Sequence, residues 1–180
     1  MKIFAIRHTS VNINSGICYG QSDVSVAGSF EVEKDKTLSE LRKILPGDKV
    51  FSSPLTRCKI FSEALFAGIE INFDNRLMEL HFGDWEMKTW DEIYLTSEGK
   101  KWMDNYRLLP SLNGESYAKM KNRIEIFLDD LKKTEYSKVI VVTHAGVIRI
   151  MKSLIEKQPL EILFETYRPD FGSITEFEIE

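Results

Sequence analysis

Four apolar residues in a row, Ile3-Phe4-Ala5-Ile6, stand just behind Lys2, and the run breaks at Arg7. A second run near the other end, Val139 to Val142, is wholly β-branched and lies between Lys138 and Thr143. Lys49-Val50-Phe51 is a weaker third. Continuous runs, as opposed to alternating ones, suit parallel strands covered on both faces. Between them the period changes. Leu38, Leu41, Ile44 and Leu45 fall at helix spacing and meet a stop at Pro46-Gly47. Tyr117, Met120, Ile124, Phe127, Leu128 and Leu131 share one helix face, with Asn113 and Glu115 where a cap and a first-turn acid belong. From Ser173 to Glu180 the apolar Ile174, Phe177 and Ile179 are set among polar neighbours, which predicts an edge strand. Strands alternating with helices imply an α/β three-layer αβα sandwich: a mostly parallel sheet with its edge strand at the C-terminus. There is no internal repeat, low-complexity tract or linker, so residues 1–180 are expected to form a single domain.

Composition narrows the class. Hydrophobic residues make up 43% and charged residues 29%, as in ordinary soluble domains. The net charge of −4 speaks against a nucleic-acid partner. It leaves room for an anionic substrate, because a few arginines converging in a cleft reverse the local field. The opening apolar run is too short for a secretory signal, which needs roughly 7–15 residues, or for a membrane span of about 20. No membrane partner and a cytoplasmic location are therefore expected. Cys18 and Cys58 lack CxxC spacing and read as free thiols. Nothing in the pattern sets an oligomeric state.

The chemistry gathers where strands end. The first strand runs into Arg7-His8-Thr9, the second into Ser52-Ser53-Pro54-Leu55-Thr56-Arg57, and the last into Thr143-His144-Ala145-Gly146. Ligands of open α/β sheets bind beyond the carboxyl ends of the strands. If these three strands are parallel, two of the chain's three histidines and two arginines meet on one rim, beside helix N-termini. Guanidinium forks and helix N-termini are phosphate-binding parts, and a neutral imidazole beside them can attack phosphorus. A single strand-end histidine is more often a satisfied polar residue, and a single arginine more often a surface ion pair; the argument rests on their coincidence.

Four ordered blocks then resemble the histidine phosphatase superfamily, also called phosphoglycerate mutase-like. They are Arg7-His8-Thr9, Ser53-Pro54-Leu55-Thr56-Arg57-Cys58, Leu77-Met78-Glu79-Leu80-His81-Phe82-Gly83-Asp84-Trp85-Glu86, and Thr143-His144-Ala145-Gly146. The stretch Pro110 to Ser116, with Gly114-Glu115-Ser116, resembles the family's loop before its long helix. The resemblance implies that His8 is the nucleophile, that Arg7 and Arg57 grip the phosphoryl oxygens, and that His144 stabilises developing charge. It also implies that Glu79 serves as general acid and then as base; spacing alone would not single Glu79 out. Thr9, Asn14 and Ala145 would lie at the phosphate, Thr9 through its backbone N–H. His81 reads as a rim or structural histidine, Gly83 to Glu86 as pocket wall, and Arg107 and Arg123 as partners of helix acids.

The run Gly16-Ile17-Cys18-Tyr19-Gly20-Gln21-Ser22-Asp23-Val24 is similar to the α-ribazole phosphatase subgroup and would bring Tyr19 and Gln21 to the substrate; as a tight turn it would simply pack Tyr19 inside. Met87 and Ser29 depart from the glycines common at those positions. The implied activity is hydrolysis of a small phosphomonoester, needing no cofactor and no metal. Three rivals stand beside it: another phosphomonoester such as a sugar phosphate, a nucleotide or phosphoserine; a two-histidine, one-carboxylate metal site at His8, His144 and Glu79, disfavoured by the adjacent cations; and a non-catalytic binder of a phosphorylated ligand.

Overall fold

The computed structural model describes residues 1–180. Its strands are β1 (Lys2–Arg7), β2 (Lys49–Ser52), β3 (Ile71–Phe73), β4 (Lys138–Thr143) and β5 (Ile174–Glu178). They form one sheet in the order β3-β2-β4-β1-β5. All neighbours are parallel except β1 and β5, so the C-terminal strand is an antiparallel edge.

The two apolar runs feed both faces of this sheet. Ile3, Ala5, Val139 and Val141 pack with Met120, Ile124 and Phe127 of α5 (Tyr117–Lys132) and with Val147, Ile150 and Met151 of α6 (Ala145–Glu156). Ile6, Ile140 and Val142 turn the other way, to Leu41 of α1 (Phe30–Leu41) and to Cys58, Phe61 and Leu65 of α2 (Thr56–Leu65). This αβα sandwich gives the continuous apolar strands the cover on both faces that they require.

Register positions the site. Arg7 lies opposite Thr143, and Ser52 lies opposite Val142, so β1, β4 and β2 finish level. Two further hydrogen bonds carry the pairing one residue past the strand ends. His8 N donates to Thr143 O at 2.9 Å, and Ser53 N donates to Val142 O at 2.9 Å.

Some elements differ from the sequence-based expectation. α1 stops at Leu41, and the amide N–H groups of Ile44 and Leu45 both turn back onto Leu41 O. Leu45 precedes Pro46, and the ring disfavours helical backbone there. The cap of α5 is Ser116, whose Oγ accepts from Lys119 N, whereas Asn113 adopts φ 55° and donates from Nδ2 to Asp84. Three helices were not foreseen: α3 (Trp90–Leu95), α4 (Ser97–Asn105) and α7 (Leu160–Thr166). α3 opens on a capping box in which Thr89 and Glu92 satisfy each other's backbone N–H, and α4 on Thr96, whose Oγ1 accepts from Gly99 N. Trp102 of α4 packs against Phe82, Trp85 and Trp90, fastening this pair of helices beside the site. No helix is long and apolar enough to cross a membrane.

Candidate active site

His8 and His144 stand side by side past the ends of β1 and β4, with ring centroids 5.1 Å apart in an edge arrangement. Both are buried. Burial, and then the charge of Arg57, hold each imidazole well below its ordinary value. His8 Nδ1 is 2.7 Å from the carbonyl oxygen of Thr9. A carbonyl only accepts, so this contact places the proton of a neutral ring on Nδ1 and leaves the Nε2 lone pair free. His144 is fixed by Ser53, whose Oγ lies 2.8 Å from Nε2, and by the thiol of Cys58 beside the ring. Burial pushes that thiol up to about 12, which keeps it inert.

Three guanidinium groups border the cleft of about 180 Å³ that His8 lines. Each is anchored in the same way, by backbone carbonyls and an aromatic face. Arg7 Nη1 donates to Pro169 O at 2.7 Å, and its guanidinium sits 3.7 Å over the ring of Phe171. Arg57, fully buried, donates to Gly20 O at 2.6 Å and Ser22 O at 3.0 Å and lies 5.1 Å over Tyr19. Arg149 Nε donates to Tyr167 O at 2.8 Å, 5.2 Å over Phe164. The arginines that form ion pairs are Arg76, Arg107 and Arg123; these three are not among them. The Nε atoms of Arg7 and Arg57 are buried with no partner. Neutral anchors fix the position of each charge without cancelling it, and the orphaned donors suit an anion.

Glu79 reaches the same cleft from an irregular segment between the short 3-10 turns Asn75–Leu77 and Gly83–Trp85. Its carboxylate accepts from Leu80 N at 3.0 Å and from Gly146 N, in the first turn of α6, at 3.0 Å. Gly146 leaves room for this contact, since a Cβ there would run into the carboxylate and displace it. Tyr19, Phe82, Trp90, Tyr117, Ala145 and Phe164 are among the residues that form the walls.

The structure thus brings Arg7, His8, Arg57, Glu79, Tyr19 and Ala145 into one cleft, with His144 packed behind His8. Three other expected contacts lie elsewhere. Thr9 is buried, accepts from His8 Nδ1 through its carbonyl, and does not line the cleft. Asn14 is exposed: Val11 bridges to Val26, and the following turn, closed by Ile17 N on Asn14 O, carries the side chain outward into a recess beside the cleft. Gln21 is engaged in support, its Nε2 donating to Glu79 O at 2.9 Å.

The run from Gly16 to Val24 is largely an internal brace. Gly20 and Ser22 hold Arg57, Asp23 accepts from Thr56 N at the start of α2, and Glu86 caps the turn through Gln21 N, Ser22 Oγ and Phe82 N. Arg107 pairs with Glu161 and Arg123 with Glu115. His81 lines a different recess. Arg149, Phe164 and Phe171 carried no signal in the sequence, since each becomes relevant only when α6, α7 and the tail fold back on β1.

A family model for the histidine phosphatase superfamily, branch 1, matches residues 3–180. The chain belongs to that family. It is 24% identical over 186 residues to the adenosylcobalamin/α-ribazole phosphatase of Salmonella typhimurium, covering 99% of this chain and 91% of that protein. It is 27% identical over 189 residues to a Hydrogenobacter thermophilus protein provisionally assigned as phosphoserine phosphatase 2, covering 99% and 90%. The α-ribazole phosphatase structure from Shigella flexneri shares the fold, with a TM-score of 0.90 at 22% identity over 100% of this chain and 91% of that one. This histidine phosphatase superfamily member is a phosphatase.

Proposed function

We propose that this phosphatase hydrolyses a small phosphomonoester in the cytoplasm through a phosphohistidine at His8, and that α-ribazole 5′-phosphate is its substrate. The observation that carries the mechanism is a neutral imidazole with a free Nε2, ringed by three arginines that are held by backbone carbonyls and form no salt bridge. The phosphate dianion sits against Arg7 and Arg57. The Nε2 lone pair of His8 forms a bond to phosphorus, the bond to the ester oxygen breaks, and Glu79 delivers its proton to the departing alkoxide. Glu79 then takes a proton from water. The water oxygen bonds to phosphorus, the N–P bond breaks, and its electron pair returns to the imidazole. His144 and the arginines stabilise the charge that accumulates on the phosphoryl oxygens.

The α-ribazole reading is supported by the Gly16 to Val24 run, by the relatives of that name, and by the aromatic walls Phe82, Trp90, Tyr117 and Phe164, which suit a flat ring. One observation favours a second reading, phosphoserine. With Arg7 and Arg57 on the phosphate, Arg149 is a surplus cation in the same cleft and would suit a substrate carboxylate.

Steady-state assays in EDTA decide between them. A kcat/KM at least about tenfold higher for α-ribazole phosphate than for phosphoserine, glycerol 2-phosphate or a nucleotide bears out the first reading. A lead for phosphoserine that Arg149→Met abolishes bears out the second. Activity lost in EDTA would favour metal-assisted hydrolysis, and binding without turnover a non-catalytic receptor.

A further inference from the structure

The proposed acid stands on backbone that belongs to no helix or strand, yet general acid catalysis needs a carboxyl held to a fraction of an ångström. That backbone is gripped from outside the cleft. Arg123, in the second turn of α5, donates from Nη1 to Arg76 O and Met78 O, both at 2.6 Å, and from Nη2 to Glu79 O at 3.0 Å. Glu115 holds the other edge of the guanidinium in a two-point pair, Nε to Oε1 at 2.8 Å and Nη2 to Oε2 at 2.9 Å. Side-chain exposures of 17% and 14% take this pair out of the class of solvated surface bridges.

Glu115 is itself docked on the same segment. Its N–H donates to His81 O at 2.7 Å, and Ser111 Oγ donates to the same carbonyl at 3.0 Å. The turn packs so closely that a Cβ on Gly114 would lie 2.5 Å from His81 O. Gln21 adds a second hydrogen bond to Glu79 O. The Gly114-Glu115-Ser116 stretch therefore has a task that neither the phosphate site nor the cleft wall accounts for.

We infer that Arg123, locked by Glu115, is a positioning residue that sets where the Glu79 carboxyl meets the leaving oxygen; this rests on the reading of Glu79 as the general acid. The clamp acts on proton delivery and leaves the phosphate grip untouched. Neither Arg123 nor Glu115 lines the cleft.

Two substrates separate these effects. p-Nitrophenyl phosphate releases a stable phenolate that needs no proton, whereas glycerol 2-phosphate releases an alkoxide that does. For Arg123→Met, kcat/KM for glycerol 2-phosphate should fall by about 10–10²-fold, while that for p-nitrophenyl phosphate stays within about threefold. Glu115→Gln should shift the ratio in the same direction by less, and it decides the matter if Arg123→Met fails to fold. Arg123→Lys should not restore the wild-type ratio, because an ammonium cannot reproduce the fork. Glu79→Gln is the reference and should show the largest selective loss. If Glu79→Gln slows both substrates alike, the acid assignment falls. If Glu79→Gln is selective and the Arg123 and Glu115 variants slow both substrates equally, or neither, the clamp is an ordinary structural ion pair and the inference is wrong.

Discussion

Gly146→Ala separates what Glu79 does from what it contributes to stability. A Cβ on Gly146 would lie 3.0 Å from Glu79 Cδ and 3.1 Å from Oε2, and closer still to Oε1. Restoring van der Waals contact takes a shift of about 1 Å. The overlapping atoms are the free end of a side chain, so Glu79 rotates away and the backbone stays. The hydrogen bond from Gly146 N to Oε2 is then lost, worth about 1 kcal/mol. Alanine returns close to 1 kcal/mol of helix propensity in the first turn of α6. Net stability should stay within about 1 kcal/mol of wild type. Catalysis should not: a displacement of about 1 Å at a reacting group can cost about 10²-fold in rate. Urea denaturation and kcat/KM on glycerol 2-phosphate, measured on the same preparation, test this. A variant as active as wild type would show that the position of Glu79 is immaterial and refute the reasoning. A variant that has lost several kcal/mol would show that the backbone had given way instead.

Other consequences follow from the same geometry. His8 and His144 are held neutral in the fold, whereas the unfolded chain regains ordinary imidazole values near 6.5. Below about 6.5 the unfolded state therefore binds more protons, and stability should fall with pH by up to ~1.4 kcal/mol per unit per histidine. Above that range these two residues add no pH dependence. Urea midpoints between about pH 7 and 5.5 should fall steeply, and less so in His8→Asn; a slope unaffected by that change would count against the buried neutral imidazole. Arg57→Lys keeps the charge but loses the fork that grips Gly20 O and Ser22 O, and kcat/KM should drop by about 10²-fold; retained activity would mean that only charge matters. Met87 is exposed at φ 67°, a conformation that penalises a side chain. After glycine's extra unfolded-state entropy, Met87→Gly should raise stability by about 0.5 kcal/mol with activity unchanged, and a lower Tm would contradict that.

The sandwich was legible because β1 and β4 are unbroken apolar runs whose side chains serve both faces, and such strands need helices on each side. β3 was not, since three residues at a sheet edge, none fully buried, leave no period to read. α3 and α4 had their signals in Thr89 with Glu92 and in Thr96 with Gly99, but α3 is too short to show a period and α4 has only Trp102 and Met103 as large apolar residues. The histidines, Arg7 and Arg57 stood out because each abuts a recognisable strand or helix start. Glu79, between two short turns, was reached only through the family resemblance. Asn14 shows the limit of that route: its spacing from Arg7 suggested a phosphate contact, but the turn it occupies faces outward. The aromatic faces beneath Arg7 and Arg149 come from the last stretch of the chain, joined to the site by tertiary folding alone.

The covalent intermediate is the most direct test. Protein mixed with ³²P-labelled substrate should be quenched in alkali during turnover and mapped by mass spectrometry. The mechanism predicts a phosphoryl group on His8 that survives base, is lost in acid and is absent from His8→Ala. Label on another residue, or turnover that persists in His8→Ala, would contradict it.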